Sequence, residues 1–388
     1  MINTPFYYYD LNLLDKTLQS IDTNIKGNPF KVHYALKANA EEKILKIISD
    51  HGFGADCVSG NEINKALECG FNHNEVVLAG VGKSDNEIRT AIDNNIHSIN
   101  CESIEEIRVI AEIAQKEVNI ALRINPNINA NTHPSITTGT SKDKFGIPTQ
   151  NLWEAIEEIK KYPNLNFIGL HFHLGSQITD MLPFKKLSDE VNSIQSYLIS
   201  KEIKLPHLNM GGGIGIDYNS PKDNPIPNFE DYFNVFKTHL NVLENQTVHF
   251  ELGRSIIGQS GSLISKVLYV KNGANIKFAI IDAGMTDLIR PALYNSFHAI
   301  ENISSDRGNE TYQVVGPICE STDTFGNALL TDTNRGDYLK IFSAGAYGQV
   351  LSSNYNLRDS PKSIYSDQYQ LDEILLEQNE RKSKNKHM

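Results

Sequence analysis

The chain has 388 residues, enough for two or three domains, and its 40% hydrophobic and 21% charged residues are the balance of a globular protein with a full core. A net charge of −11 argues against a nucleic-acid surface, which needs clustered cations to meet phosphate. No apolar run approaches the ~20 residues that span a bilayer, and Met1 to Asp10 lack the basic and apolar stretches of a secretory signal.

Four cysteines (Cys57, Cys69, Cys101, Cys319) show no CxxC or zinc-ligand spacing, which suits reduced thiols in the cytoplasm. Among twelve histidines, the close pair His171 and His173 has no third ligand near it in sequence, so no metal site is expected.

In chain order, Thr4–Tyr9 reads as a strand, and a helix starting near Asp10 turns Leu11, Leu14, Leu18 and Ile21 inward. Eight strand candidates follow: Lys31–Leu36, Phe53–Val58, Val76–Ala79, Ser98–Cys101, Ile120–Ile124, Ile168–His173, His207–Met210 and Val248–Leu252. Amphipathic helix patterns separate them. Three of these open with a hydroxyl followed three residues later by glutamate, the pattern of a capping box: Ser59 with Glu62, Ser84 with Glu87, Ser103 with Glu106. Gly70 is placed to end the second of the barrel helices. Eight strands alternating with helices predict an α/β fold, a TIM-like (β/α)8 barrel over residues 25–258, whose strand ends gather on one rim.

After Gly258 the pattern changes to strands joined by turns, at Leu263–Lys271, Lys277–Asp282, Tyr312–Val315 and Tyr338–Ser343. Residues 259–388 together with 1–24 therefore read as an antiparallel β domain that takes up the N-terminal strand. Glu377 to Met388 is a charged, frayed tail.

The chemistry sits at the strand ends. Lys37 follows the first barrel strand, where a rim position can desolvate its amine for a Schiff base. His173 and Ser176 follow the sixth strand; Gly211, Gly212 and Gly213 follow the seventh, where backbone amides can approach a phosphate, although a glycine run can also be a plain loop. Glu251 lies in an otherwise apolar strand, costly unless its charge is paired, either with a pyridinium N–H or with Arg254. His173 is either a stacking ring or a satisfied core histidine. Tether, cradle, ring-nitrogen partner and wall are the parts that pyridoxal 5'-phosphate (PLP) requires.

Several runs resemble the diaminopimelate decarboxylases, in the PLP-dependent group that includes ornithine and arginine decarboxylases and shares its barrel with alanine racemase. They are Tyr34-Ala35-Leu36-Lys37-Ala38-Asn39, His171 to Gln177, Gly211 to Gly215, Glu251-Leu252-Gly253-Arg254, Asp287 to Tyr294, and Cys319-Glu320-Ser321-Thr322-Asp323. The run from Thr132 to Gly146 resembles a barrel loop of the same family, and the likeness extends from Thr4 to about Tyr347. The resemblance implies Lys37 as the Schiff-base lysine, His173 as the stacking ring and Glu251 as the pyridine-nitrogen partner. Gly211 to Gly213, Leu252, Gly253, Arg254, Ser176 and Tyr347 would surround the cofactor, mostly at its phosphate. It also implies Arg254, Arg290, Tyr294, Glu320 and Tyr347 at the substrate and Cys319 as the residue that returns a proton to carbon. Leu252 departs from the proline usual between the glutamate and glycine, which removes no chemical group. Arg290 as a surface arginine and Tyr294 as a packing residue are the plain alternatives.

The implied reaction is decarboxylation of meso-2,6-diaminopimelate to L-lysine and carbon dioxide, the last step of lysine biosynthesis, by a cytoplasmic homodimer whose partner subunit supplies Cys319 and Glu320. A decarboxylase for ornithine, arginine or carboxynorspermidine is the alternative, against which the Arg290 run counts. A non-catalytic PLP carrier and an amino-acid racemase fit less well, since neither accounts for Cys319 to Asp323.

Overall fold

The computed structural model describes residues 2–129, 139 and 144–374. These fall into two compact units, one within residues 18–215 and 228–253, the other within 1–17, 216–227 and 254–388. The chain opens with β1 (Phe6–Tyr9) and α1 (Leu11–Ile25), whose Leu14, Leu18 and Ile21 are fully buried.

The first unit is a closed barrel of eight parallel strands. They are β2 (Phe30–Ala35), β3 (Gly54–Cys57), β4 (Val76–Leu78), β5 (Ser98–Cys101), β6 (Val118–Asn125), β8 (Leu165–His171), β9 (His207–Asn209) and β10 (Thr247–Leu252), with the two-residue β7 (Ile147–Pro148) beside β6. Pairing of β5 with β6 and of β10 with β2 closes the ring. The helices between them are α2 (Glu42–Asp50), α3 (Gly60–Glu68), α4 (Asp85–Asp93), α5 (Ile104–Ile113), α6 (Leu152–Ile159), α7 (Leu182–Ser200) and α8 (Phe229–His239).

Local chemistry accounts for several helix starts. Ser84 and Glu87 form a complete reciprocal box. Ser59 and Ser103 cap the Glu62 and Glu106 amides, but those two glutamates take the N–H groups of Val58 and Glu102 instead of the cap residue's own. Gly70 follows α3 with φ +97°, a left-handed position that suits glycine. One side of the barrel is sealed by Phe30, Phe184, Tyr232, Phe233, Phe236 and Phe250, with Phe250 meeting Phe233 and Phe236 at centroid distances of 5.1 and 5.0 Å. Truncating the fully buried Phe250 to alanine would cost about 3–5 kcal/mol.

The second unit is a mixed sheet of β1, β11 (Gly261–Asn272), β12 (Lys277–Ile281), β13 (Ile300–Asn302), β14 (Glu310–Val315), β15 (Thr324–Leu330), β16 (Tyr338–Ile341) and β17 (Lys362–Tyr365), with short helices α9 (Arg254–Ile257) and α10 (Arg290–Tyr294). β1 does join this sheet, antiparallel to β11. The expected all-antiparallel order needs correction, because β1 runs parallel to β17 and β12 parallel to β14. Strands joined through long connections are free of the direction a hairpin imposes. Phe6, Tyr8, Ile264, Tyr338, Ile364 and Ile374 form one core cluster there.

Candidate active site

Residues on the inner face and carboxyl ends of the barrel strands converge. Lys37 lies in a single 3-10 turn, Leu36–Ala38, directly after β2. Its Nζ donates to Asp56 Oδ2 of β3 at 3.0 Å, while Asp56 is fully buried and its Oδ1 has no hydrogen-bond partner among the described residues. Burial and the nearby Glu251 charge raise the Asp56 carboxyl to about 7, against the pull of Lys37.

Glu251 faces inward from β10 and is 5% exposed. Asn209 Nδ2 of β9 donates to its Oε1 at 2.8 Å and His171 Nε2 of β8 to its Oε2 at 3.0 Å. Burial alone would raise its pKa, but His171, by charge and hydrogen bond, with Lys37, holds it below the usual carboxylate range. Glu251 is thus an oriented buried anion. Its carboxylate keeps lone pairs for a further donor, since each oxygen can accept two bonds.

β8 ends at His171, two residues earlier than expected, which puts His173 in the following loop. Its Nδ1 accepts the Gly212 N–H at 3.2 Å, which leaves the proton of the neutral ring on Nε2. Burial and the charges of Lys37 and Arg123 push its pKa well down, so the ring stays neutral. The loops after β8 and β9 are zipped together, Ile178 N donating to Gly213 O and Gly215 N to Ile178 O, both at 2.8 Å. Gly211 N–H is taken by Asn209 Oδ1 at 2.8 Å. A Cβ on Gly211 would collide with the Phe172 carbonyl, and one on Gly212 with the Glu251 carbonyl, so glycine alone lets this loop lie against the barrel backbone. Ser176 is half-buried in the same loop. Leu252 is fully buried, and Gly253 packs against Ala35 and Ala38.

Most of the run from Thr132 to Gly146 lies outside the described residues, as does Glu377 to Met388. Of the former, Phe145 lies under the Arg123 guanidinium at 4.7 Å, and Gly146 N donates to Glu102 Oε2 at 2.8 Å. Glu102 Oε1 in turn accepts from Arg123 Nη1 at 2.6 Å.

The β unit gathers a second set. Arg254 and Arg290 are both buried, and each donates through Nη1 to Tyr218 Oη at 2.6 Å. Arg290 Nε is buried without a hydrogen-bond partner among the described residues, and the Arg254 guanidinium stacks on Tyr347 at 4.8 Å. Arg290 is therefore no surface arginine. Desolvation and its neighbour Arg254 pull its pKa down, as expected where two like charges face one hydroxyl. Tyr347 holds φ +56°, a left-handed backbone rare for an aromatic residue. Tyr294 is half-buried at the end of α10. Cys319 and Glu320 are exposed, Glu320 accepting from Tyr355 Oη at 2.8 Å. The Asp323 carboxylate ties this segment down by accepting from Met285 N and Ile318 N, each at 2.6 Å.

Four contributors escaped the sequence reading: Asp56, His171 as the partner of Glu251, Asn209 and Tyr218. Asp56 carried the same signal as Glu251, an acid inside an apolar strand. Asn209 precedes the glycines, but only the strand register aims it at Glu251. Tyr218 had no local signal. Amine, buried anion, neutral flat ring and glycine loop together are a donor set that fits PLP.

A family model described as the pyridoxal-binding domain of pyridoxal-dependent decarboxylases matches residues 11–258. A diaminopimelate decarboxylase of Bacteroides thetaiotaomicron is 51% identical over 372 residues, 95% of this chain and 96% of its own. Among solved structures, the Helicobacter pylori diaminopimelate decarboxylase complexed with L-lysine superposes with TM-score 0.89 at 40% identity, covering 94% of this chain and 91% of its own. The M. jannaschii diaminopimelate decarboxylase with L-lysine gives 0.87 at 34%, covering 94% and 87%.

Proposed function

The chain belongs to the pyridoxal-dependent decarboxylases, and from that premise we propose that it decarboxylates meso-2,6-diaminopimelate to L-lysine as the last step of lysine biosynthesis. Lys37 would tether PLP, Glu251 would keep the proton on its ring nitrogen, and His173 would supply a flat ring to stack on it. Gly211, Gly212, Gly213, Ser176, Arg254 and Tyr347 would hold its phosphate, with Leu252 and Gly253 completing the wall. When bound, PLP supplies the carbonyl that takes up the substrate amine and a protonated ring that accepts the electron pair left by carbon dioxide.

The chain's own groups do the rest. Asp56 holds Lys37 Nζ in place by its 3.0 Å contact, which orients the amine. His171 and Asn209 keep Glu251 anionic and fixed, so no reorganisation is needed as charge develops. Cys319 returns the proton to carbon.

The observation that carries the substrate assignment is the pair of buried guanidiniums, Arg254 and Arg290, converging on Tyr218. A carboxylate on the unreactive end of the substrate is what such a pair would receive. Glu320 takes the distal ammonium, and Tyr294 and Tyr347 line the approach. Cys319 and Glu320, both exposed, serve the site of a second copy, which makes the active unit a homodimer. Among the described residues no helix is long and apolar enough to cross a membrane, and four free cysteines fit the reducing cytoplasm.

The test is to incubate the PLP-loaded protein with diaminopimelate, ornithine, arginine and carboxynorspermidine, measuring carbon dioxide and identifying the amine. Lysine formed from diaminopimelate at the highest kcat/KM is the expected result. A preference for any other substrate overturns the assignment.

A further inference from the structure

The opposite end of the barrel holds a group of side chains that the decarboxylation does not use. His207 opens β9, His249 is the third residue of β10, and His97 immediately precedes β5. One ring nitrogen from each lies within 4.8 Å of the others. His207 and His249 are each 2% exposed, while His97 is half-buried. We propose that His97, His207 and His249 form a binding site for a borderline divalent transition-metal ion of the zinc class, at the amino-terminal end of the barrel.

One separation already suits such an ion. His97 Nε2 and His207 Nδ1 are 3.1 Å apart. Two nitrogens on a tetrahedral zinc, at ~2.0–2.1 Å each, stand about 3.3 Å apart. An ion would replace the proton now shared between those rings.

The surrounding hydrogen bonds already select ligand-ready tautomers. His33 Nδ1 lies 2.9 Å from the Glu75 carbonyl, which can only accept, so His33 presents its Nε2 lone pair. His249 Nδ1, 2.8 Å away, must donate to it, which leaves the lone pair of His249 on Nε2. An imidazole whose other N–H is held by a second group is the usual arrangement around a bound metal.

His207 Nε2, the nitrogen not paired with His97, is buried with no hydrogen-bond partner among the described residues, so no neighbour dictates which nitrogen of this enclosed ring carries the proton, and Nδ1 can offer its lone pair. Of the cations around the cluster, Lys31 is engaged by Glu75 at 2.5 Å, and Lys116 donates to Asn95 Oδ1. Access is open from outside, since His97 lines a surface pocket with Asn95, Lys116 and Asn119. Imidazole sets favour zinc, nickel and copper over calcium or magnesium. A bound ion would tie β5, β9 and β10 together at the end remote from Lys37, with water completing its shell.

The test uses the holoenzyme, stripped with a chelator and titrated with Zn2+ against a chromophoric competitor, with Co2+ as a spectroscopic reporter. The expected result is one ion per chain with a micromolar or tighter Kd and a Zn2+-dependent rise in Tm. His97→Gln and His249→Gln should each weaken binding by ~100-fold or more, and Cys319→Ser, which removes the exposed thiol, should leave it intact. Should His249→Gln fail to fold, His97→Gln at the half-exposed mouth decides. No stoichiometric Zn2+ binding, or binding that survives His97→Gln, overturns the proposal.

Discussion

Replacing Glu251 by glutamine tests the cofactor reading at its most constrained point. Both carboxylate oxygens are occupied, Oε1 by Asn209 Nδ2 and Oε2 by His171 Nε2. A glutamine offers only one oxygen, so its NH2 must face one of these donors. If it faces His171, that ring must give up the proton on Nε2 and, no longer balanced by an anion, keep only the one on Nδ1, which is buried with no partner among the described residues. If it faces Asn209, the amide must flip, and Gly211 N–H loses its acceptor Oδ1. Either route strands one buried polar group, a loss of about 1–3 kcal/mol in unfolding free energy. The rate should fall further, because a neutral amide cannot hold the ring proton. Removing one preorganised charge of this kind costs ~10²–10³-fold in kcat, or about 3–4 kcal/mol. The assay is steady-state carbon dioxide release at saturating diaminopimelate, with PLP occupancy read by absorbance and stability by urea unfolding. A variant that keeps its PLP and an unchanged kcat would show that Glu251 is only a structural acceptor for His171 and Asn209.

Lys37→Ala should abolish turnover and the absorbance of lysine-linked cofactor while the fold survives; full activity in that variant would remove Lys37 from the chemistry. Because burial and Glu251 raise the Asp56 carboxyl to about 7, its folded form binds more protons than its unfolded form. That contribution to stability is complete below about pH 4 and lost as pH rises through 7, so the stability lead of the wild type over Asp56→Asn should shrink over this range. A pH-independent difference would refute it. Arg290→Ala should raise the KM for diaminopimelate by ~30- to 700-fold, the equivalent of about 2–4 kcal/mol, with a much smaller effect on any slow decarboxylation of lysine. An unchanged KM would free Arg290 from the distal head. Finally, mixing Lys37→Ala with Cys319→Ala subunits should restore about a quarter of wild-type sites on random exchange, since half the sites of each heterodimer carry neither lesion. No recovery with exchange confirmed would place both residues in one chain's site.

The sequence by itself determined those features that depend on neighbours within a few residues. Apolar runs of four to six residues marked all eight barrel strands, Ser98–Cys101 with both ends right and the others with ends off by at most three positions, because strand burial is written in the strand's own composition. Ser84 with Glu87 announced a helix start for the same reason. Glu251 was legible as an acid where burial makes an unpaired charge costly, and Lys37 as a lysine at a strand's end. Tertiary structure alone decided what those groups touch. His171 stands 80 positions from Glu251 and Asn209 stands 42 away, and only the register of β8, β9 and β10 aims all three at one point. Asp56 meets Lys37 through the pairing of β2 with β3. The direction of β1 beside β17 was likewise invisible, since both directions bury the same alternating face. His33, His97, His207 and His249 lie too far apart in the chain for any ligand spacing to show. A closed barrel turns distant strand positions into neighbours inside one ring, and it is that closure, not local pattern, that brings the imidazoles of His97, His207 and His249 together, with His33 bonded to the last.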